Sequence, residues 1–252
     1  MMLLDVGNTS VKWAVEGNGR FVCRGYFLRR NRDFGELASA AWGHLPVPDG
    51  VAVANVAGPA LQREINDWVA AHWQLSPCYI RVDEAASGVI NAYTEPDRLG
   101  VDRWAALVAA RNATPGPACI IDCGTAITID ALDANGRHQG GIIAPGLDMM
   151  KRALLADTSD IGSRPGARCP GVTLLAQGTA EAVNNGVSYM AGAMIDRVVA
   201  DIVAELGERT EILITGGDAS RILPLLGWQP RHDPELVLKG IAILAREEAC
   251  AT

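Results

Sequence analysis

The residues best suited to chemistry lie in two copies of one short pattern. DVGNT at residues 5–9 and DCGT at residues 122–125 each follow an apolar, strand-like run. An aspartate before a tight Gly-Asn or Gly-Thr turn combines a carboxylate for a cation, a close backbone approach, and N–H and hydroxyl donors for phosphate oxygens. One copy alone is more typical of an ordinary hairpin turn. Two copies, with a third Gly-rich turn at residues 216–218, predict a site for a nucleotide phosphate chain.

Composition excludes several other ways of handling phosphate. The three lysines, Lys12, Lys151 and Lys239, all lie outside any G-x-x-x-x-G-K-[ST] pattern, so the sequence contains no P-loop. It also contains no H-R-D catalytic loop. The chain has 22 Lys and Arg against 29 Asp and Glu, a formal net charge of −7, whereas nucleic-acid binding needs a clustered basic face. We therefore expect small-molecule partners and no nucleic acid.

Length, export signals and cysteines bound the remaining possibilities. The 252 residues are 49% hydrophobic and 20% charged, the balance of a globular protein with one large or two compact domains. Asp5 stands where a signal peptide needs its apolar run, and no stretch approaches the roughly 18 apolar residues of a membrane span. Six cysteines without a C-x-x-C pair indicate buried, reduced thiols. These features predict a cytoplasmic protein that does not contact a membrane.

The repeated pattern is positioned by repeated elements. Three antiparallel strands are predicted from alternating residues and turns near the N-terminus, and the same order returns around the second copy. Residues 112–117 have linker composition. We therefore predict an α/β fold of two duplicated domains with mixed sheets, 1–114 and 115–252. The predicted strands are 3–5, 11–15, 21–27, 51–56, 78–82, 119–125, 126–132, 138–143 and 211–215, and the main predicted helices are 34–42, 59–72, 102–111 and 179–206.

Two further segments carry expectations of their own. In the second predicted helix, a three-to-four spacing of apolar residues ends at His72, which predicts that this histidine is part of a buried stripe and not a catalytic group. Residues 158–171 are rich in glycine and proline and are predicted to form a loop. The segment 83–100 is predicted to be irregular.

Five motifs occur in order along the chain: DVGNT at 5–9, LGVDRW at 99–104, IDCGTA at 121–126, GGIIAPG at 140–146 and TGGD at 215–218. Together they resemble the motifs of the type III pantothenate kinases, and the resemblance spans almost the whole chain. It implies the fold of the acetate kinase, sugar kinase, Hsp70 and actin superfamily, in which two ribonuclease-H-like domains with a cleft between them close on ATP. The duplicated strands agree with that fold.

The resemblance implies an ATP-dependent pantothenate kinase. Such an enzyme transfers the γ-phosphoryl group of ATP to the pantothenate hydroxyl to give 4'-phosphopantothenate, the first step of coenzyme A biosynthesis. One alternative is another small-molecule kinase or phosphatase of the same superfamily, which generally shares the phosphate loops but not LGVDRW. The other is a non-catalytic regulatory homologue, for which the acidic balance argues against direct DNA contact.

By similarity, Asp102 is the proton acceptor and Arg103 belongs to the substrate pocket, where its guanidinium suits the pantothenate carboxylate. The residues alone leave other roles open: an N-cap for Asp102, a surface salt bridge for Arg103, a loop aromatic for Tyr93 and the N-cap of the long helix for Thr179. The full substrate-binding set that the resemblance implies is Tyr93, Gly100, Val101, Asp102, Arg103 and Thr179.

The resemblance also assigns the nucleotide and cation sites. Asp122 matches a monovalent-cation ligand, for K⁺ or NH₄⁺, and Mg²⁺ is expected to accompany ATP near Asp5. The resemblance also implies a homodimer. One apolar face of the long helix is either the contact surface of that dimer or part of the hydrophobic core; its residues are Val183, Val187, Met190, Met194 and Val198. The nucleotide-binding residues are Asp5, Val6, Gly7, Asn8, Thr9, Ser10, Val11, Lys12, Gly124 and Thr125.

Overall fold

A computed structural model describes residues 1–29, 32–156 and 174–250. The predicted loop at 158–171 lies outside these residues. The chain forms two compact units: unit 1 contains residues 1–115, 136–138 and the segment from Glu235 onward, and unit 2 contains residues 116–135 and 139–234. Unit 1 therefore includes the C-terminal helix, which the predicted division into 1–114 and 115–252 gives to the second domain.

Unit 1 is built on a five-stranded mixed sheet with the order β3-β2-β1-β4-β5. The first three strands form an antiparallel meander, and β4 and β5 extend it in parallel with β1. Asn18 and Gly19 have positive φ angles (52° and 74°), which the tight β2–β3 turn requires. The strands are β1 (Met2–Val6), β2 (Ser10–Gly17), β3 (Arg20–Leu28), β4 (Val51–Asn55) and β5 (Cys78–Tyr79).

Two helices cover one face of this sheet with an aromatic core. Helix α1 (Phe34–Trp42) has Asp33 as its N-cap, and the Asp33 side chain accepts a hydrogen bond from the Glu36 backbone N–H (2.9 Å). Helix α2 (Pro59–Trp73) has Pro at its first position, where the missing N–H costs no hydrogen bond. Trp73 of α2 is buried within this core, which also contains Phe27, Phe34, Trp42 and Trp68.

The prediction that His72 is part of the buried stripe is wrong. His72 is exposed, and its ring stacks on Trp68 with the centroids 4.2 Å apart and an interplanar angle of 9°. Its neighbour Trp73 fills the buried position, because residues 65, 69 and 73 repeat every four positions along one face of the helix.

Two more helices of unit 1 pack against each other closely. In α3 (Val101–Ala113), eight consecutive residues from Arg103 to Ala110 are buried. Helix α7 (Leu236–Cys250) approaches α3 so closely that a Cβ on Gly240 would collide with the Ala105 carbonyl. This contact ties the C-terminal helix to unit 1.

The segment predicted to be irregular contains a small hairpin. Strands β6 (Ala85–Ala86) and β7 (Val89–Ile90) pair antiparallel, and residues 96–98 form a 3₁₀ turn. The Ile90 backbone N–H donates to the Gly136 carbonyl (2.9 Å), which places residues 136–138 in unit 1.

Unit 2 repeats the strand order of unit 1, as β10-β9-β8-β11-β12. The duplicated mixed-sheet fold predicted from the sequence is thereby confirmed. Helix α5 packs its buried residues on the sheet, whereas α4, which the sequence did not predict, buries only Leu147. The elements are β8 (Ala118–Cys123), β9 (Ala126–Leu132), β10 (His138–Pro145), α4 (Leu147–Ala156), α5 (Thr179–Leu206), β11 (Glu211–Thr215), α6 (Ala219–Ile222) and β12 (Arg231–His232).

The cysteines divide by environment. Cys119 and Cys123 are buried free thiols, and burial, helped by neighbouring carboxylates, raises the pKa of each to about 12. Cys78 is exposed, against the prediction of buried thiols, because it lies on the edge strand β5. In the described part of the chain, no helix is both long and apolar enough to cross a bilayer.

Candidate active site

The first predicted phosphate loop, which contains residues 7–9, joins β1 to β2 in unit 1. The Gly7 N–H donates to the Ser10 carbonyl (3.0 Å), which closes the turn. Arg29, directly after β3, holds the same loop from outside: its Nη1 donates to the Gly7 carbonyl (3.1 Å) and its backbone N–H donates to the Thr9 carbonyl (2.9 Å). Arg29 is therefore a positioning residue that sequence reasoning missed. An arginine at the end of a third strand gives no pattern that would reveal it.

Asp5 and Lys12 face each other across β1 and β2. The Lys12 Nζ lies 3.9 Å from Asp5 Oδ2, and the two side chains are 26% and 11% exposed. The alternation of β2 buries Val11 and Trp13 on the opposite face. The ammonium group thus lies on the Asp5 face of the sheet, next to the loop whose N–H and hydroxyl groups suit phosphate oxygens.

The second phosphate loop occupies the same place in unit 2, between β8 and β9. Its turn is tighter, because the Gly124 N–H donates to the Ala126 carbonyl (3.0 Å), two residues on instead of three. The loop is held through backbone groups: the Gly146 N–H donates to the Thr125 carbonyl (3.0 Å), and the Asp218 N–H donates to the Cys123 carbonyl (2.9 Å).

Two glycines make this support possible. A Cβ on Gly146 would collide with the carbonyls of Gly124 and Thr125, and a Cβ on Gly216 would collide with Asp122 Oδ1 and the Cys123 carbonyl. Gly216 also has φ of 98°, in the region that favours glycine. The motifs GGIIAPG and TGGD therefore converge on the second loop.

Charged groups gather beside the TGGD turn of unit 2. Arg221 Nη1 lies 2.7 Å from Asp218 Oδ1 and 3.8 Å from Asp148 Oδ1. Partial burial and the Arg221 charge lower the pKa of Lys151 on α4, while Asp148 and Asp218 act in the opposite direction. This mixed cluster holds α4 near the start of α6.

Asp102 lies in the first turn of α3. Its Oδ1 accepts a hydrogen bond from the Arg103 backbone N–H (2.8 Å), and a Cβ on Gly100 would lie 2.6 Å from the same oxygen. The alternative role as N-cap is wrong, since Gly100 occupies that position and α3 begins at Val101. A carboxylate in the first turn is stabilised by the helix dipole.

Arg103 is buried beside the aromatic ring of Tyr93. Only 6% of the residue is exposed, which excludes a surface salt bridge. Its Nη1 donates to the Tyr93 hydroxyl (2.9 Å), and the Tyr93 ring stacks on His138 with centroids 5.9 Å apart and planes 11° from parallel. His138 is itself only 3% exposed. No local pattern indicates His138, because it lies at the start of β10, far along the chain from Tyr93.

Thr179 is the first residue of α5 and is exposed. Gly178 is the N-cap, with extended backbone angles (φ −135°, ψ 143°), so the alternative role of Thr179 as the cap is wrong. Thr179 belongs to unit 2, together with Asp122, Gly124 and Thr125. The other predicted site residues all belong to unit 1.

The described residues contain no group of three or more His, Cys, Asp or Glu side chains that could hold a metal ion. Asp5 and Asp122 each stand near the carboxyl end of a strand, Asp5 opposite Lys12 and Asp122 opposite Thr128 and Thr215, and each supplies carboxylate oxygens. Oxygen donors of this kind suit Mg²⁺, which keeps several waters and binds through one or two carboxylates and substrate phosphates. They suit hard monovalent cations for the same reason.

The fold and these turns define a class of protein fold: two units with one strand order, each with an Asp-x-Gly loop between its first two strands, which is the duplicated actin-like fold that the sequence predicts. Solved structures share this fold. The activator of 2-hydroxyisocaproyl-CoA dehydratase from Clostridium difficile superposes with a TM-score of 0.55 at 15% identity, over 99% of this chain and 96% of that one. Component A of (R)-2-hydroxyglutaryl-CoA dehydratase from Acidaminococcus fermentans superposes with a TM-score of 0.55 at 14% identity, over 100% of this chain and 98% of that one.

Sequence relatives specify the family within this class. The type III pantothenate kinase family model matches residues 1–201. The type III pantothenate kinase of Nitrosococcus oceani is 40% identical over 98% of this chain and 94% of its own, and that of Halorhodospira halophila is 38% identical over 98% of each. The chain belongs to the type III pantothenate kinase family, which confirms the predicted family and the prediction of a kinase.

Proposed function

We propose that the protein transfers the γ-phosphoryl group of ATP to the hydroxyl of pantothenate, giving 4'-phosphopantothenate, the first step of coenzyme A biosynthesis. One observation carries this proposal: the family match over residues 1–201 contains both phosphate loops and every predicted substrate residue. ATP and pantothenate are the substrates that the family implies.

Asp102 acts as the proton acceptor in this proposal. The hydrogen bond from the Arg103 N–H fixes the carboxylate over Gly100. An ionised carboxylate held in this way orients the pantothenate hydroxyl and takes its proton as the oxygen attacks the γ-phosphorus. Positioning matters more than covalent chemistry in phosphoryl transfer, so a carboxylate fixed by its own helix suits the reaction.

Arg103 binds the pantothenate carboxylate. Its guanidinium is buried, so a charge-assisted pair with the substrate is little screened by water. The hydrogen bond to Tyr93 orients the guanidinium, and His138 supports the Tyr93 ring from behind. Gly100 is the N-cap of the same helix and Val101 its first residue. Thr179, in unit 2, is the remaining residue of the proposed substrate set.

The phosphate loops bind ATP. In unit 1, residues 5–12 supply backbone donors, hydroxyls and the Lys12 ammonium; in unit 2, Gly124 and Thr125 supply N–H and hydroxyl donors. The divalent cation that such a kinase needs is Mg²⁺, for which Asp5 is the proposed ligand. Asp122 is the proposed ligand of K⁺ or NH₄⁺. When bound, these cations offset the phosphate charge that lysines offset in P-loop enzymes.

The proposal includes a cytoplasmic homodimer. Of the face of α5 predicted as its contact surface, Val187 is buried and Met190 is 57% exposed. Tyr189, beside it, is 41% exposed. A contact surface on α5 would therefore centre on Tyr189 and Met190 instead of the whole predicted stripe.

An ADP-release assay with the purified protein, ATP, Mg²⁺ and K⁺ tests this function. We expect ADP release that requires pantothenate and saturates with it. Glucose, acetate and glycerol offered in place of pantothenate test the alternative of another small-molecule kinase. ADP release with one of these acceptors but not with pantothenate would contradict the proposal. So would a result in which none of the acceptors, pantothenate included, supports ADP release.

A further inference from the structure

The two aspartates of the phosphate loops have different neighbours in their sheets. In unit 1, Asp5 lies between Lys12 on β2 and Ala54 on β4. In unit 2, Asp122 lies between Thr128 on β9 and Thr215 on β11. Residues directly opposite on neighbouring strands place their side chains on the same face of the sheet. Asp5 is therefore flanked by an ammonium and a methyl group, and Asp122 by two hydroxyls.

This difference changes the charge at equivalent positions. In unit 1 the positive charge beside the aspartate comes from the chain itself, with Lys12 Nζ 3.9 Å from Asp5. In unit 2 the strand position that corresponds to Lys12 is Thr128, which offers a neutral oxygen. Carboxylate, hydroxyl and carbonyl oxygens are the ligands that hard cations prefer.

Thr215 supplies an independent observation. It is fully buried, at 0% exposure, and within the described residues its Oγ1 makes no hydrogen bond. A buried hydroxyl in this condition is unfavourable unless something else satisfies it, such as a water or an ion. Asp122 is its registered partner on β8, so the hydroxyl lies on the face of the sheet that carries the carboxylate.

The next residue, Gly216, packs closely against two oxygen atoms at the end of β8. Its backbone passes so close to Asp122 Oδ1 and the Cys123 carbonyl that no Cβ fits there. The Cys123 carbonyl is fixed by the Asp218 N–H at 2.9 Å. The end of β11 thus packs tightly against the Asp122 carboxylate and the Cys123 carbonyl, which gives this end of the sheet the fixed arrangement that an ion site needs.

We propose that Thr215 and Thr128 complete the monovalent-cation site of Asp122, and that the bound cation takes the place in unit 2 that the Lys12 ammonium takes in unit 1. The inference deepens the proposed function and rests on its assignment of Asp122 to a cation. It adds two ligands and predicts that the cation and a lysine are interchangeable at this position.

Thermal unfolding of the full chain tests the role of Thr215. The midpoint Tm is measured as KCl replaces N-methylglucamine chloride at constant ionic strength, with ADP fixed. We expect K⁺ to raise Tm of the wild type, because a ligand that binds the folded state stabilises it. Thr215→Val should require about tenfold more K⁺ for the same rise, the scale of loss expected for a weakened ion site.

The matched control is Thr210→Val. Thr210 is another buried threonine of unit 2, and its hydroxyl donates to the Gly207 carbonyl (2.6 Å). This variant should lower Tm in both salts and keep the wild-type dependence on K⁺. A wild-type Tm that does not change with K⁺ concentration would overturn the proposal. So would a Thr215→Val variant whose Tm depends on K⁺ concentration as the wild-type Tm does.

Thr128→Lys tests the exchange of lysine and cation directly. We expect its Tm to lose its response to K⁺ and its pantothenate-dependent turnover to persist in N-methylglucamine chloride. Thr128→Met, of similar length but uncharged, should lose both the K⁺ response and that turnover. A wild-type K⁺ response in Thr128→Lys and Thr128→Met would overturn the role of Thr128. Because Tm is read without pantothenate, a protein that binds K⁺ here but lacks turnover would contradict only the proposed function.

Discussion

Unit 1 and unit 2 use the same sheet but equip its phosphate loop differently. Both have the strand order third-second-first-fourth-fifth, and both place an aspartate before a glycine turn. Unit 1 sets Lys12 beside its aspartate, whereas unit 2 sets two threonines there. The backbone of the duplicated fold therefore positions the carboxylate, while the neighbouring strand residues decide whether the chain itself sets a positive charge beside it.

The two loops are also held in different ways. Arg29 holds the first loop with hydrogen bonds to the carbonyls of Gly7 and Thr9. The second loop is held by backbone groups that approach through Gly146 and Gly216. A supporting side chain can be replaced without moving the backbone. A glycine whose backbone lies against another backbone cannot, because any Cβ would collide with it. We therefore expect unit 2 to tolerate substitution around its loop less well than unit 1.

The largest expected effect concerns the carboxylate that only unit 1 carries at the start of α3. Asp102→Asn should lower kcat by about 10²- to 10⁴-fold, the usual contribution of a positioned general base. Its Tm should stay close to wild type, because the amide oxygen still accepts the Arg103 N–H. The ADP-release assay measures the rate, and Asp97→Asn, an exposed carboxylate in the preceding 3₁₀ turn, is the control. A wild-type rate for Asp102→Asn would limit Asp102 to a structural role.

Removal of the unit 1 ammonium should have the next largest effect. Lys12→Met should lower kcat/KM for ATP by about 10²-fold, since it removes a charge that offsets phosphate. Added K⁺ should not restore the rate, because Met offers no oxygen ligand to a cation. Lys239→Met, an exposed lysine on α7 of the same unit, is the control. Rescue of Lys12→Met by K⁺ would contradict the proposed difference between the units.

The stacked pair in unit 1 gives a smaller effect on substrate binding. His138→Ala should raise KM for pantothenate by up to about tenfold, the value of one aromatic contact, with kcat nearly unchanged. His138→Phe should restore KM, because a flat ring at this position still supports Tyr93. Steady-state kinetics with varied pantothenate separate the two parameters. Equal losses of kcat in both variants would show that His138 does not act through Tyr93.

The smallest expected effect concerns the residue between Asp and Gly, which is Val6 in unit 1 and Cys123 in unit 2. Burial raises the pKa of Cys123 to about 12 from its ordinary value of 9.0. The stability that this raised pKa contributes is fully present below pH 9 and is lost as the pH rises towards 12. At pH 10 the loss amounts to about 1 kcal/mol of unfolding free energy.

Cys123→Val should remove that loss. Urea unfolding at pH 8 and pH 10 gives the difference in unfolding free energy, which should be smaller for Cys123→Val than for the wild type. Comparison across pH cancels the packing change that valine brings at both values. An unchanged difference would mean that Cys123 titrates in the folded protein as it does in the unfolded chain.

Local patterns predicted most of the elements. The strands of both meanders follow from alternation and from Gly and Asn turns, and α5 was predicted over its observed length. Helix α4 was missed because it buries only Leu147 and so shows no apolar stripe. The start of α3 lies one residue before the predicted one, and glycines, not Asp102 or Thr179, occupy the N-caps of α3 and α5.

The predicted site depended more on resemblance than on pattern. The repeated Asp-x-Gly turn predicts the two phosphate loops, but the group of Arg103, Tyr93 and His138 is assembled by tertiary contacts between distant segments. No spacing rule connects a residue of β10 to one before α3. The role of Thr215 was hidden in the same way, since only the parallel register of β8 and β11 places it beside Asp122.

The central claim is that unit 2 needs a bound cation where unit 1 has its own lysine. The most direct test is the pantothenate-dependent rate of ADP release by the wild-type protein in KCl and in N-methylglucamine chloride at equal ionic strength and saturating Mg²⁺. The account predicts turnover in K⁺ that falls to a small fraction of that rate in N-methylglucamine. Equal rates in the two salts would contradict it.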